Sequence, residues 1–113
     1  MRTVAPHAHH IEPTEWPFAE PHNAAVFTTS RHLYGGEPIL LVSHERGGDW
    51  QLLCGDVQEN ERCIVICLAC AYLRDTTIGA LADLPAGWEA RRDKPTGAWV
   101  RYPIADEETG AAH

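Results

Sequence analysis

The chain has no run of 18 apolar residues, and its first ten residues carry one arginine and no apolar core. A membrane-spanning helix and a cleavable export leader are therefore not predicted, and the cytoplasm is the expected compartment. Positive charge is also scarce. Nine Lys and Arg stand against sixteen Asp and Glu, a formal net charge of −7. That balance argues against non-specific nucleic-acid binding and against adhesion to an anionic membrane, both of which need a basic face. There is no internal repeat, no calcium-loop pattern of alternating aspartates, no second CxxC and no HxxxH. No spacing assembles a nucleophile with a base, so the expectation is a non-enzymatic protein.

What is present is enough for one core. A chain of 113 residues, 44% of them apolar and including four Trp, fits a single domain that buries roughly two thirds of its unfolded surface. Residues 1–23 hold four of the eight prolines and four of the seven histidines, which predicts an irregular arm with a mobile first dozen residues. Trp16, Pro17 and Phe18 interrupt its polarity and are expected to pack on the body. Residues 24–104 form the predicted domain, and the acidic, Gly/Ala-rich stretch 105–113 reads as a frayed tail.

Within the domain, residues 38–55 read as a β-hairpin: two apolar runs around a turn at Gly47, Gly48 and Asp49, where glycines supply positive φ. A short strand precedes it over 24–29, followed by a helical turn over 30–34. The longest apolar run, 63–73, is β-branched at its front and unbranched at its back. A buried strand that gives way to a short helix is expected there, although periodicity does not place the switch. Asp75 or Thr76 is the predicted cap of a further helix that buries Ile78 and Leu81 and stops at Pro85. Two more strands are read over 88–92 and 98–102. Trp50, Trp88 and Trp99 are expected as core anchors, and an exposed one would suggest an interface. The predicted fold is α+β: an antiparallel sheet of about five strands with one or two short helices on one face.

Three constellations could carry chemistry. Cys54, Cys63, Cys67 and Cys70 crowd a short segment, and Cys67 and Cys70 form a CxxC. Paired cysteines at that spacing can point two sulfurs at one zinc ion. The pair lies in an apolar run rather than a polar knuckle, so reduced, metal-free packing thiols are expected, with a four-cysteine zinc site as the alternative. A thioredoxin-like redox pair would need the motif between a strand and a helix N-terminus, and the aromatic or Gly-Pro filling of such motifs is absent from Cys67-Leu68-Ala69-Cys70. The match of Cys63, Cys67 and Cys70 to an iron–sulfur spacing is read as accidental in so short a chain. Separately, His7, His9 and His10 sit closely enough to suit nickel or copper, or simply form a polar arm. Finally, Glu45, Asp49, Asp56, Glu59 and Glu61 gather around the hairpin turn and the loop after it, a solvated face that could also receive a basic protein partner.

The order of pieces resembles a known family. Phe27-Thr28-Thr29, the hairpin entering Asp49-Trp50-Gln51-Leu52-Leu53-Cys54-Gly55, the acidic loop and apolar strand, then Asp75, Leu81, Asp83, Pro85, Gly87 and Trp88 together look like a bacterial domain-of-unknown-function family. That family is related to the thirty-third immunity-protein family of polymorphic toxin systems. The resemblance covers roughly residues 24–90 and departs at Asp49, where Gly is common, and at the cysteines. It implies a small, soluble, non-catalytic protein that could neutralise a toxin by binding it. The expected function is accordingly an immunity-like binding protein acting through its acidic face, with a small zinc-binding protein as the alternative.

Overall fold

The computed structural model describes residues 2–5, 9, 11–29, 32, 35–54 and 63–104. Most of the helical turn expected over 30–34, the acidic loop with Asp56, Glu59 and Glu61, and the tail from 105 lie outside the described residues. The fold is α+β. Six strands, β1 (Ala25–Thr29), β2 (Leu41–His44), β3 (Trp50–Leu53), β4 (Cys63–Cys67), β5 (Trp88–Arg91) and β6 (Val100–Pro103), form one sheet in the order β4-β1-β3-β2-β5-β6. One α-helix, α1 (Leu68–Arg74), and a 3₁₀ helix over Thr76–Leu81 follow β4.

The hairpin is where the sequence placed it. β2 and β3 pair antiparallel with His44 opposite Trp50, and Gly48 takes the positive φ of 99° that the turn needs. The sheet differs from the expectation in two ways. It has six strands rather than about five, and it is mixed, because β1 lies parallel to β3 with Val26 opposite Trp50. The chain runs from β1 to β2 by way of residues 30–40, leaving a gap between the two strands, and the hairpin then returns β3 into that gap, antiparallel to β2 and so parallel to β1.

Side chains alternate across the sheet, so Val26, Val42, Trp50, Leu52 and Ala90 share one face. Leu68 and Ala71 of α1, Ile78 and Leu81 of the 3₁₀ helix, and Leu84 close over them to make the core. Trp50 is 2% exposed and is the anchor expected. Trp88 is not. It is 36% exposed, because it begins β5 opposite Pro103 of the edge strand β6. The strand at Cys63–Cys67 is likewise no buried strand. As the other edge of the sheet it exposes Cys63 and Val65 and buries only Cys67 fully.

The arm is attached more firmly than its composition suggests. Thr3 bridges to Ala24, and backbone bonds join Val4 to Asn23 and Ala25 to Arg2 at 2.8 and 2.9 Å. Further along, Pro13–Glu15 makes a 3₁₀ turn, Phe18 enters the core, and Trp16 packs edge-on to Tyr72 with centroids 5.7 Å apart. Their burial offsets the entropy of ordering the arm.

At the opposite end of the helical layer Arg92 is buried. Its guanidinium donates to the Ile39 carbonyl, Thr77 Oγ1, the Pro95 carbonyl and Asp75 Oδ2 at 2.7–3.0 Å, and it lies 4.1 Å from the Trp99 ring centroid. Removing it would leave Asp75 and two carbonyls without their donor. Arg92→Ala should therefore lose about 3–5 kcal/mol, a large part of the roughly 5–15 kcal/mol of a domain this size. Urea denaturation followed by Trp fluorescence checks this. A loss below about 1 kcal/mol would show that the loops hold without the cation.

Candidate metal centre

β4 passes into α1 with no linker. Cys67 is still extended (φ −81°, ψ 153°) and Leu68 is already helical. The residues explain the switch. Ile64, Val65 and Ile66 are β-branched, whereas Leu68, Ala69, Ala71 and Leu73 favour helix. A helix start leaves its first N–H groups unpaired, and here each finds an acceptor. Leu68 N–H donates to the Ala24 carbonyl at 2.8 Å and Ala69 N–H to the His22 carbonyl at 3.0 Å. Cys70 N–H donates to Cys67 Sγ at 3.2 Å. Cys67 thus caps the helix with sulfur where an oxygen side chain is usual. The CxxC consequently spans a strand end and the first turn of a helix, and the three-residue spacing puts both thiols on one side of that turn.

The arm brings a third donor. His9 Nε2 lies 3.1 Å from Cys67 Sγ and 3.7 Å from Cys70 Sγ. All three donor atoms lie within 4.8 Å of one another. Ligands about 2.0–2.3 Å from a tetrahedral zinc ion stand roughly 3.3–3.8 Å apart, so little movement separates this cluster from a coordinating one. Cys67 is buried, and His9 and Cys70 are half-buried. The Cys70 thiol is pushed up to about 11, first by burial, then by its hydrogen bond and charge interaction with Cys67, with Arg74 opposing. Near neutral pH the Cys70 thiol therefore keeps its proton unless a cation takes its place.

The other expected groups sit elsewhere. Cys63 is exposed at the far end of β4, opposite Thr29, while Cys67 is opposite Ala25. Four residues of strand separate their backbones by about 13 Å. Cys54 follows β3 and is not among the three clustered donors. The structure therefore brings together two of the four cysteines and adds a histidine. His7 and His10 lie outside the described residues. Glu45 and Asp49 meet in the β2–β3 turn, where Glu45 N–H donates to the Asp49 carbonyl at 2.7 Å. Arg2 stands 3.6 Å from Asp49. His44 stacks on Trp50 at 4.0 Å and its Nδ1 lies 2.7 Å from the Leu84 carbonyl.

His9 and the CxxC each carried a metal signal in the sequence, but nothing there joined them. They are 58 positions apart, and only the docked arm makes them neighbours. Among the described residues no helix is long and apolar enough to cross a membrane. No protein-family model, curated protein or solved structure matches the chain.

The raised Cys70 thiol has a direct chemical readout. Burial disfavours its anion, and the thiolate is the form that alkylates. With a pKa of about 11, roughly one Cys70 in a thousand is ionised at pH 8. Peptide mapping after iodoacetamide treatment of the reduced, metal-free protein should show Cys63 modified first. Cys70 should follow slowly, its rate rising about tenfold per unit between pH 8 and 10. A Cys70 rate that levels off by pH 8.5 would show a thiol that burial does not restrain.

Proposed function

We propose that this is a small zinc-binding protein whose ion is held by His9 Nε2, Cys67 Sγ and Cys70 Sγ. The observation that carries the proposal is the convergence of those three donor atoms, within 4.8 Å of one another, from two remote parts of the chain. Imidazole and thiolate are the donors zinc takes in protein sites, and a soft sulfur pair disfavours magnesium and calcium. The ion would tie the arm to the start of α1, supplying charge to the sulfurs and fixing the imidazole. No step of catalysis is part of the proposal.

A basic protein partner on the acidic face of Glu45, Asp49, Asp56, Glu59 and Glu61 is the second proposal. Of its five residues, Glu45 and Asp49 are described, and Asp49 already faces Arg2. The immunity-like role suggested by the family resemblance rests on that same face. Among the described residues no cluster of comparable convergence supports it.

Zinc uptake tests the site residue by residue. Protein reconstituted with zinc and titrated against a chromogenic chelator should hold one equivalent. His9→Ala and Cys70→Ser should each weaken binding by at least tenfold, and Cys63→Ser should leave it unchanged. Native mass spectrometry gives the stoichiometry, and circular dichroism shows whether each variant folds. Binding that survives His9→Ala but fails in Cys63→Ser would move the site back to the four cysteines. No zinc uptake at all would remove the proposal.

A further inference from the structure

The same two sulfurs have a second chemistry, and it depends on the position of the CxxC rather than on its composition. Cys67 ends a strand and Cys70 lies in the first turn of the helix that follows. Their sulfurs belong to one cluster within 4.8 Å, and the Cys70 N–H is already bonded to Cys67 Sγ at 3.2 Å. Residues three apart across a helix start have Cα atoms roughly 5–6 Å apart, inside the window that a disulfide accepts. Cys63, by contrast, is four strand residues from Cys67, about 13 Å away and beyond that window. Forming the Cys67–Cys70 bond therefore asks for side-chain rotation and little backbone change.

We infer that Cys67 and Cys70 form a reversible dithiol–disulfide couple that gates the metal centre, so that a peroxide-class oxidant releases the ion and a thiol reductant restores the site. The inference rests on the zinc proposal above. Cys70, half-buried, is the sulfur a small oxidant reaches, whereas Cys67 is 2% exposed. In the first step Cys70 Sγ takes one oxygen of hydrogen peroxide. An S–O bond forms, the O–O bond breaks, and the departing hydroxide takes up a proton as water. Cys67 Sγ then displaces the oxygen from the Cys70 sulfenic acid, forming the S–S bond and a second water. Two thiolates lose two electrons in all, and peroxide with two protons yields two waters. The disulfide sulfurs carry no charge for the ion, so His9 alone remains and zinc leaves as its aqua ion. Burial also limits the reaction to small oxidants. A folded partner's disulfide cannot reach Cys67, so general thiol–disulfide exchange with proteins is not expected.

The test uses the full chain and has two arms. In the first, reduced protein is loaded with zinc and the bound equivalent is measured. In the second, the loaded protein is treated with a few equivalents of hydrogen peroxide while a chromogenic chelator follows release. Non-reducing peptide mapping then locates the new bond. The expected result is release of about one equivalent in step with a Cys67–Cys70 disulfide, and rebinding of zinc after dithiothreitol. The Cys54→Ser/Cys63→Ser double variant should release zinc with the same time course. Zinc uptake in the first arm followed by release without that disulfide, or with Cys70 driven to sulfinic acid, would overturn the gate and leave the zinc site standing. Failure of uptake in the first arm would overturn the zinc site and the gate together.

Discussion

A strand that becomes a helix within one residue leaves that helix's first amides nowhere to go unless the surrounding chain provides acceptors. Cys67 is such a point, and most of the molecule can be traced from it. The carbonyls of Ala24 and His22 receive the first two amides, which fixes the path of the chain just before β1. The third amide takes the Cys67 sulfur, which fixes the thiol. A buried amide left without a partner costs about 1–3 kcal/mol, so these three contacts are obligations of the fold. Helix α1 then has one way to lie, with Leu68 and Ala71 over the sheet face built by Val26, Trp50 and Leu52.

Arg92 plays the corresponding part at the other end of the helical layer. There the acceptors come first: the Ile39 and Pro95 carbonyls, Thr77 and the Asp75 carboxylate all face inward from three loops. One planar cation with five N–H groups satisfies them together, which a lysine could not. Asp75 also caps the 3₁₀ helix through Thr77 N–H at 3.0 Å. Helix start, loop and strand β5 are thereby coupled through one carboxylate.

Local patterns carried most of the fold. The hairpin is written in Gly48 and its apolar flanks, the start of the 3₁₀ helix in its Asp75 cap, and the strand-to-helix change in the loss of β-branching after Ile66, whereas that 3₁₀ helix ends at Leu81, short of the stop expected at Pro85. What depends on long-range order was not legible. Nothing in residues 30–40 says that the chain passes β3 before turning back, so the parallel β1–β3 pair and the mixed sheet were missed. The edge position of β4 was hidden for the same reason, since an apolar run reads alike in a central and an edge strand. Trp88 shows a similar limit, because burial depends on what lies opposite, here His44 on one side and Pro103 on the other. At the candidate site the CxxC and His9 were each visible, yet their meeting is a property of the docked arm.

That docking changes what His9 is to the sulfurs. In an unfolded chain, bringing together groups 58 positions apart costs about 3–4 kcal/mol of loop entropy. In the folded protein the arm is held on both sides of His9. Val4 bonds to Asn23, the Tyr72 hydroxyl donates to the Glu15 carbonyl, and Trp16 Nε1 donates to the Glu20 carbonyl at 2.9 Å. The imidazole therefore belongs to a span of about ten residues, 5–14, that is attached at both ends. Its effective concentration at Cys67 and Cys70 lies in the millimolar range expected of short tethers, whatever the dilution of the protein. Any species that engages the thiol pair, metal ion or oxidant, meets a histidine already in attendance.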